Sequence, residues 1–295
     1  MITLERPYTF PLSNSKEYVY ADKLLRTPVK KIRMSKPFKV ETFSKLVDCI
    51  ARLSYFNKSY TLFFRGQNEE YPLESCLRTI YPGILRENIR NKIPLESLKK
   101  KLDFHDNELR ARNHYRNPRM YGAQNIMMYK YLRWAILQHY EKCPTPFIDI
   151  TRSLIVALSF ALINYTKEDN NFLSKGILYV LALPWPSKHF HESKDEELVL
   201  VNMAGITPPI AKRPYRQDAF CVMHNNIEND TSKDKFDLSN RMVCKFEISN
   251  TKSFWKGDAQ LFKKDHLTPK NDKFYEFMNN LKVIKSFQNQ WNIKN

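Results

Sequence analysis

The stretch QHYEKCPTPFIDITRSLIVALSFA, residues 138–161, decides the fold. It leaves a helical pattern, passes through the short apolar run PFIDI and continues into a long apolar segment. This pattern predicts a strand followed by a buried helix, with Thr151 or Ser153 at the helix N-cap. Because His139, Asp149 and these two hydroxyls lie where core packing begins, the same stretch also predicts a binding or catalytic site.

Outward from this stretch, helical patterns prevail in the first half of the chain and strand patterns in the second. Leu46, Val47, Ile50 and Leu53 recur at helical spacing, and YTLFFRGQ (60–67) is aromatic and compact, as buried strands are. This order predicts one α+β domain with a central mixed or antiparallel sheet and helices. The predicted helices are 44–55, 95–116, 120–140, 151–165 and 272–284, and the predicted strands are 60–67, 146–150, 176–185, 216–224 and 241–249.

The predicted domain covers residues 36–285. Residues 1–35 are polar, basic and rich in Pro and Ser, which favours an extended basic arm. Residues 286–295 are predicted to form a C-terminal tail. Residues 186–200 have the character of a charged insertion, and residues 225–237 that of a polar loop between two strands.

Charge and cysteine content limit the class of protein. The chain has 48 Lys and Arg against 31 Asp and Glu, a net charge of +17. Such a balance attracts polyanions and predicts a nucleic-acid partner, although solubility or codon bias produces the same charge. The five cysteines form no C-x-x-C pair, which favours a reduced cytoplasm over a disulfide framework. No apolar run approaches the ~20 residues of a membrane span, so no membrane partner is expected.

Several standard catalytic and binding motifs are absent from the sequence. The Gly-rich phosphate-binding loops G-x-G-x-x-G and G-x-x-x-x-G-K are both absent. The motifs G-x-S-x-G and H-E-x-x-H do not occur either. His189-x-His191 is a possible metal pair, but it lies in the charged stretch without a third ligand nearby. We therefore predict no metal cofactor.

The end of the first predicted strand and the start of the buried helix suit an anionic ligand. Arg65 can hold a phosphate bidentately, and Gly66 before Gln67 permits close backbone approach. Thr151 and Ser153 open a helix, where free N–H groups and the dipole favour an anion. The alternatives are an Arg paired with a carboxylate and hydroxyls that only cap the helix.

Five further residues complete the candidate site. Tyr140, Arg213 and Arg216 interleave aromatic and cationic side chains, a combination that binds bases and phosphates. Gln217 opens a predicted strand and is expected to face the cleft. His139 ends a helix. The alternatives are a core position for His139 and a polar strand end for Gln217.

Ordered blocks of residues along the chain resemble one known family. Phe64-Arg65-Gly66-Gln67 matches the Phe-Arg-Gly motif that gives the FRG domain its name, and later blocks follow in the family's order. The resemblance covers roughly residues 40–225. The later blocks are Leu73, Leu77 and Arg78; Gln138-His139-Tyr140; Pro144-Thr145; Asp149-x-Thr151; Ala157-x-x-Phe160-Ala161; and Arg213 with Gln217-x-x-Phe220.

The chain also departs from the FRG pattern. Residues 141–143 replace the usual Gly after Gln-His-Tyr, and Ile150 replaces a common Trp. The late Gln-x-Gly-x-Phe is shortened at residues 217–220. Pro146 stands where the family has Arg, which removes one expected substrate contact.

A weaker resemblance links this layout to ADP-ribosyltransferases. It implies that Arg65, with Gly66, Gln67 and Tyr140, binds the NAD diphosphate, and that Thr151 and Ser153 support the ribose. It places Gln217 at the third motif of these enzymes, where a catalytic Glu is usual. Since Gln cannot replace that carboxylate, the base is expected to come from His139, Asp149 or Asp218.

The function implied by the two resemblances is an NAD-dependent ADP-ribosyltransferase that acts on nucleic acid or protein. NAD is then the substrate, no metal is needed, and a toxin or phage-defence effector is the implied setting. The alternative is a non-catalytic module that binds nucleic acid or a partner protein.

Overall fold

An eight-stranded sheet runs through the computed structural model, which describes residues 29–73, 77–78, 80–116, 122–165, 171–225 and 236–280. Two further strands, β3 (Pro72–Leu73) and β4 (Leu77–Arg78), form a separate hairpin pair. The strands of the main sheet are β1 (Phe38–Lys39), β2 (Thr61–Gln67), β5 (Ile148–Thr151), β6 (Lys175–Leu183), β7 (Phe190–Ser193), β8 (Leu198–Asn202), β9 (Ala219–His224) and β10 (Met242–Ser249).

The strand order is β1-β10-β6-β2-β5-β9-β8-β7. All neighbours pair antiparallel except β1 and β10, which are parallel, so the sheet is mixed. Together with the helices it confirms the predicted α+β class and mixed sheet.

Twelve helices lie in the described part of the chain, along with one 3₁₀ turn at Leu238–Arg241. They are α1 (Val29–Met34), α2 (Phe43–Phe56), α3 (Gly83–Arg90), α4 (Leu95–Arg116), α5 (Ala123–Met128), α6 (Lys130–His139), α7 (Leu154–Leu162), α8 (Met203–Ile206), α9 (Lys212–Arg216), α10 (Lys252–Trp255), α11 (Lys264–Leu267) and α12 (Lys273–Asn279).

Helix α7 packs directly on the centre of the sheet because two strand residues have no side chain. A Cβ placed on Gly66 of β2 would lie 1.9 Å from the carbonyl oxygen of Ala157, and one on Gly176 of β6 would lie 2.2 Å from that of Ala161. Both distances are far below any real contact. The glycines of the strands and the alanines of the helix therefore fix the distance between α7 and the sheet.

Apolar side chains on several helices complete the core. Those of α4, α5 and α6 pack against β8 and β9, and those of α2 and α7 pack against β2, β6 and β10. The strand register places both groups on the same face of the sheet, one over each half.

The structure corrects several predicted elements. Residues 186–200 are not an insertion, since they form β7 and most of β8 at one edge of the sheet. Residues 29–34, assigned to an extended arm, form α1, whose Ile32 is buried in the core. The helix predicted at 120–140 is broken at Tyr129, which has an extended ψ of 106°. The strand predicted at 216–224 begins at Ala219.

Some predictions fall outside the described residues. They are the arm at residues 1–28, most of the polar loop at 225–237 and the tail at 286–295. The predicted last helix is confirmed over Lys273–Asn279. Among the helices described here, none has both the length and the apolar character that crossing a bilayer requires.

Candidate functional site

The candidate site is a cavity of about 450 Å³ at the centre of the sheet. It exists because β2 and β5 pair only at Phe64 and Thr151 and separate beyond that point. Helices α3, α7 and α9 border the gap. Its ionisable lining residues are the arginines Arg65, Arg86, Arg90 and Arg213, the acids Glu141 and Asp149, His139, and the tyrosines Tyr71, Tyr81 and Tyr165.

Asp149 is the acid at the centre of the hydrogen-bond network. One carboxylate oxygen lies 2.9 Å from Nδ1 of His139, and the other accepts from Nε2 of Gln138 at 3.0 Å. Burial raises the pKa of Asp149, but these hydrogen bonds and the charge of Arg65 outweigh it and hold the pKa well below the usual range. The carboxylate is therefore ionised, and 35% of the side chain remains exposed to the cavity.

His139 supports this carboxylate from behind. Its side chain is only 1% exposed, and Nδ1 carries the proton that the ionised carboxylate accepts. Its Nε2 is buried and has no hydrogen-bond partner. The pair has the geometry of a positioned His–Asp dyad in which Asp149 faces the cavity.

Arg65, the strand-end arginine for which the sequence suggested a cleft position, lines the cavity beside Asp149. Its Nη1 donates to the backbone carbonyl of Asp149 at 2.6 Å and so bridges the two separated strands. Its Nε is buried without a partner. Burial lowers the pKa of Arg65, and the nearby Asp149 opposes that effect. The guanidinium therefore retains unused hydrogen-bonding capacity in a place where an unpaired donor is costly.

Two arginines of α3 face the same cavity and were missed by sequence reasoning. Burial, together with the positive charges of Arg65 and Arg90, lowers the pKa of Arg86 to about 10. The Nε of Arg86 is buried without a partner, and Arg90 lies over the ring of Tyr71. The signal was present, because Arg86 and Arg90 are four residues apart and share one face of a helix. Residues 84–120 are rich in charged residues throughout, however, so these two arginines do not stand out in the sequence.

Arg213 enters the cavity from α9 on a different element. Its Nη2 donates to Glu141 at 2.6 Å, its backbone N–H donates to Asp272, and its Nε is buried without a partner. Glu141 has a left-handed φ of 56° and a side chain that is 74% exposed. Arg216, predicted to act with Arg213, is exposed and donates to the carbonyl of His266 at 3.5 Å. The predicted pair is thus divided between the cavity and the surface.

The hydroxyl residues of the opening stretch have structural partners. Thr151 lines the cavity, but its Oγ1 donates to the carbonyl of Gln217 at 2.7 Å and accepts from the N–H of Ser153. Ser153 caps α7 by accepting from the N–H of Val156. Ser153 therefore has the helix-capping role that was the alternative to ligand binding. Gly66 lines the cavity and also allows α7 to pack closely on β2.

Gln217 and Tyr140 also have partners that the sequence did not reveal. The Nε2 of Gln217, a cavity-lining residue, donates to the carbonyl of Leu267 at 2.9 Å and so fixes α11. Tyr140 is buried in the core, and its hydroxyl donates to Asp272 at 3.0 Å. The hydroxyl of Tyr140 is therefore bound within the core, and the amide nitrogen of Gln217 is bound to α11. Gln67 also lines the cavity.

His139, Asp149 and Cys221 place ligand-type atoms within 4.8 Å of one another. They satisfy each other here, since the thiol of Cys221 donates to the same carboxylate oxygen at 3.4 Å. Burial and the charge of Asp149 raise the pKa of Cys221 well above its usual value, so the thiol stays protonated and donates to the carboxylate. The cluster is best described as hydrogen-bonded support for Asp149.

The comparisons with known proteins agree with the first resemblance. Residues 60–170 match the family model of the FRG domain, which confirms the first resemblance over that range. The match includes Arg65, His139, Asp149 and Thr151 and ends before the late block that begins at Arg213. No curated protein and no solved structure matches the chain.

Proposed function

We propose that this protein is an ADP-ribosyltransferase that uses NAD as its substrate and modifies a nucleic acid or a protein. One observation carries the proposal. The cavity brings several guanidinium groups together with the ionised, partly exposed carboxylate of Asp149. NAD has the complementary distribution of charge, with an anionic diphosphate at its centre and a cationic nicotinamide ring at one end.

The diphosphate is assigned to Arg65, Arg86 and Arg90. These side chains raise one another's electrostatic energy, as the lowered pKa of Arg86 indicates. A doubly charged anion between them would relieve that repulsion and give partners to the unpaired Nε atoms of Arg65 and Arg86. The volume of about 450 Å³ lies within the range of small-molecule and cofactor sites.

The carboxylate of Asp149 is assigned to the reacting carbon. When the bond between ribose C1′ and the nicotinamide nitrogen breaks, its electron pair leaves with neutral nicotinamide and C1′ becomes electron-poor. A fixed carboxylate stabilises that charge. A group with such a low pKa is a poor base, so its role is electrostatic, and the buried His139 acts as a positioning residue. The acceptor then forms the new bond to C1′ and releases its proton to solvent.

The test is release of nicotinamide from NAD by the purified protein, with and without DNA, RNA or protein acceptors. We expect Asp149→Asn to lower kcat about a hundredfold or more, because the variant keeps the shape and loses the charge. We expect Arg86→Gln to raise KM about tenfold with a smaller change in kcat. Arg110→Gln, on the exposed surface of α4, is the matched control and should leave both constants unchanged.

Two results would refute the proposal. Absence of nicotinamide release by the wild-type protein under every condition would leave a non-catalytic binding module as the better description. A wild-type kcat for Asp149→Asn would show that the reaction takes place elsewhere.

A further inference from the structure

A band of aromatic and basic side chains leads outward from the cavity. Tyr165 lines the cavity and is also 48% exposed, so its ring belongs to both surfaces. The Nζ of Lys264 lies 5.7 Å from the centre of that ring. Phe262, which is 40% exposed, is attached to α7 through a hydrogen bond from its N–H to Ser159. We call Tyr165, Phe262, Lys264 and Arg216 the rim.

The rim is held in place by buried contacts of α11. Leu267 is buried against Val156 and Ile163, which lie on and just after α7. The carbonyl of Leu267 accepts from Gln217, and the carbonyl of His266 accepts from Arg216. Helices α9 and α11 are therefore joined beside the cavity. The buried position of Gln217 has its physical reason in this junction.

Taken together, these two helices carry a net positive charge that comes from α9. Helix α9 carries Lys212, Arg213 and Arg216 and no acid. Lys263 and Lys264 begin α11, where Asp265 is the acid. Cations that alternate with exposed aromatic rings bind phosphates and stack on bases at the same time. Only a single strand presents free base faces, since a duplex hides them in its stack.

We propose that the rim binds a single strand of nucleic acid, which is the acceptor of the ADP-ribose. The acceptor role rests on the proposed function, whereas binding at the rim does not. A base stacked on Tyr165 would lie at the mouth of the cavity that holds Asp149. The strand's phosphates would pair with Lys264 and Arg216 on the outside.

The test is fluorescence anisotropy with a short labelled single strand, as DNA and as RNA, beside the duplex of the same sequence and without NAD. We expect the single strand to bind more tightly than the duplex. Tyr165→Ala and the double variant Lys264→Glu/Arg216→Glu should each weaken binding by about tenfold or more. The double variant should also reduce the salt dependence by about 0.7 in logarithmic slope for each lost phosphate contact.

Two control variants make the test specific. Tyr165→Phe keeps the stacking ring and should bind within about twofold of wild type. Lys194→Glu makes the same kind of charge change on an exposed residue of the β7–β8 turn. The turn lies next to His224, at one end of β9. The cavity is lined by Ala219, at the opposite end of the same strand. It should also bind within about twofold.

The outcomes separate this inference from the proposed function. Three results would overturn binding at the rim. They are an equal loss of strand affinity in Lys194→Glu, an unchanged strand affinity in Tyr165→Ala, and an affinity for the duplex equal to that for the single strand. Nicotinamide release with no strand binding, or release stimulated only by a protein, would overturn this inference alone. Strand binding without nicotinamide release would remove the acceptor role together with the transferase, and would leave the rim as a nucleic-acid surface.

Discussion

At the scale of single residues, function depends on which polar atoms the fold leaves unpaired. The sequence predicted Arg65 and Asp149, and the structure brings them together in one cavity. It also suggested Gln217, whose amide is used by Leu267, 50 residues further along the chain. Residue type and spacing reveal a polar group, but a partner so distant in sequence cannot be read from them. Arg86 was missed for a different reason, because its segment is rich in charged residues.

A buried histidine outside the site makes a separate prediction. Burial, aided by Lys101, lowers the pKa of His105 to about 4 from the usual 6.5. Between these values the unfolded chain binds a proton that the folded protein does not, so stability is full above pH 6.5 and falls as the pH drops towards 4. His105→Leu should flatten this part of the profile, by on the order of 3 kcal/mol between pH 7 and 4.

Thermal or urea unfolding of both proteins across this pH range checks the prediction. If the stability of His105→Leu falls with pH as steeply as that of the wild type, another group causes the loss of stability at low pH.

At the scale of helices and strands, local patterns predicted most of the central elements. The apolar segment after PFIDI forms α7, and YTLFFRGQ contains β2, as expected. Strands β7 and β8 were missed because charged residues at their turn outweigh the four apolar residues 198–201 in any local average. Pairing with β9 buries those residues, and this long-range contact overrides composition.

The close packing of α7 on the sheet predicts a sharp effect of one methyl group. Gly176→Ala would place a Cβ against the backbone of Ala161, so we expect a loss of about 1–3 kcal/mol in stability and a Tm lower by several degrees. Gly83→Ala is the control, because its nearest neighbour would lie at an ordinary 3.5 Å. Equal Tm values for the two variants would contradict this account of the packing.

At the scale of the whole molecule, the fold class was predictable and the strand order was not. Periodicity shows that a segment is a strand, but it does not show which strand lies beside it. The cavity opens because β2 and β5 share only one ladder pair, Phe64 with Thr151. These two residues are far apart in the chain, so their pairing cannot be read from local patterns. The cavity is therefore a property of the assembled sheet.

The net charge of +17 leads to a prediction about salt. Three well-shielded ion pairs, Arg133–Asp106, Lys245–Glu70 and Arg33–Asp237, are little affected by added ions. Repulsion between surface cations, in contrast, is screened. We expect the Tm to rise by a few degrees between about 0.02 and about 0.3 M NaCl, where the Debye length falls below ~10 Å. Scanning fluorimetry measures this, and a Tm that falls with salt would contradict it.

The strand order also defines what can be inherited or cut out as a unit. Among the residues between 60 and 170 that the structure describes, only β2 and β5 belong to the main sheet, and they share one residue pair. The seven-pair ladder of β2 runs to β6, and β5 pairs along its length with β9. Both partners come from chain beyond residue 170. A fragment trimmed to the recognised motif would thus expose two open strand edges, and gene fusions that transfer this domain intact must carry the later strands with it.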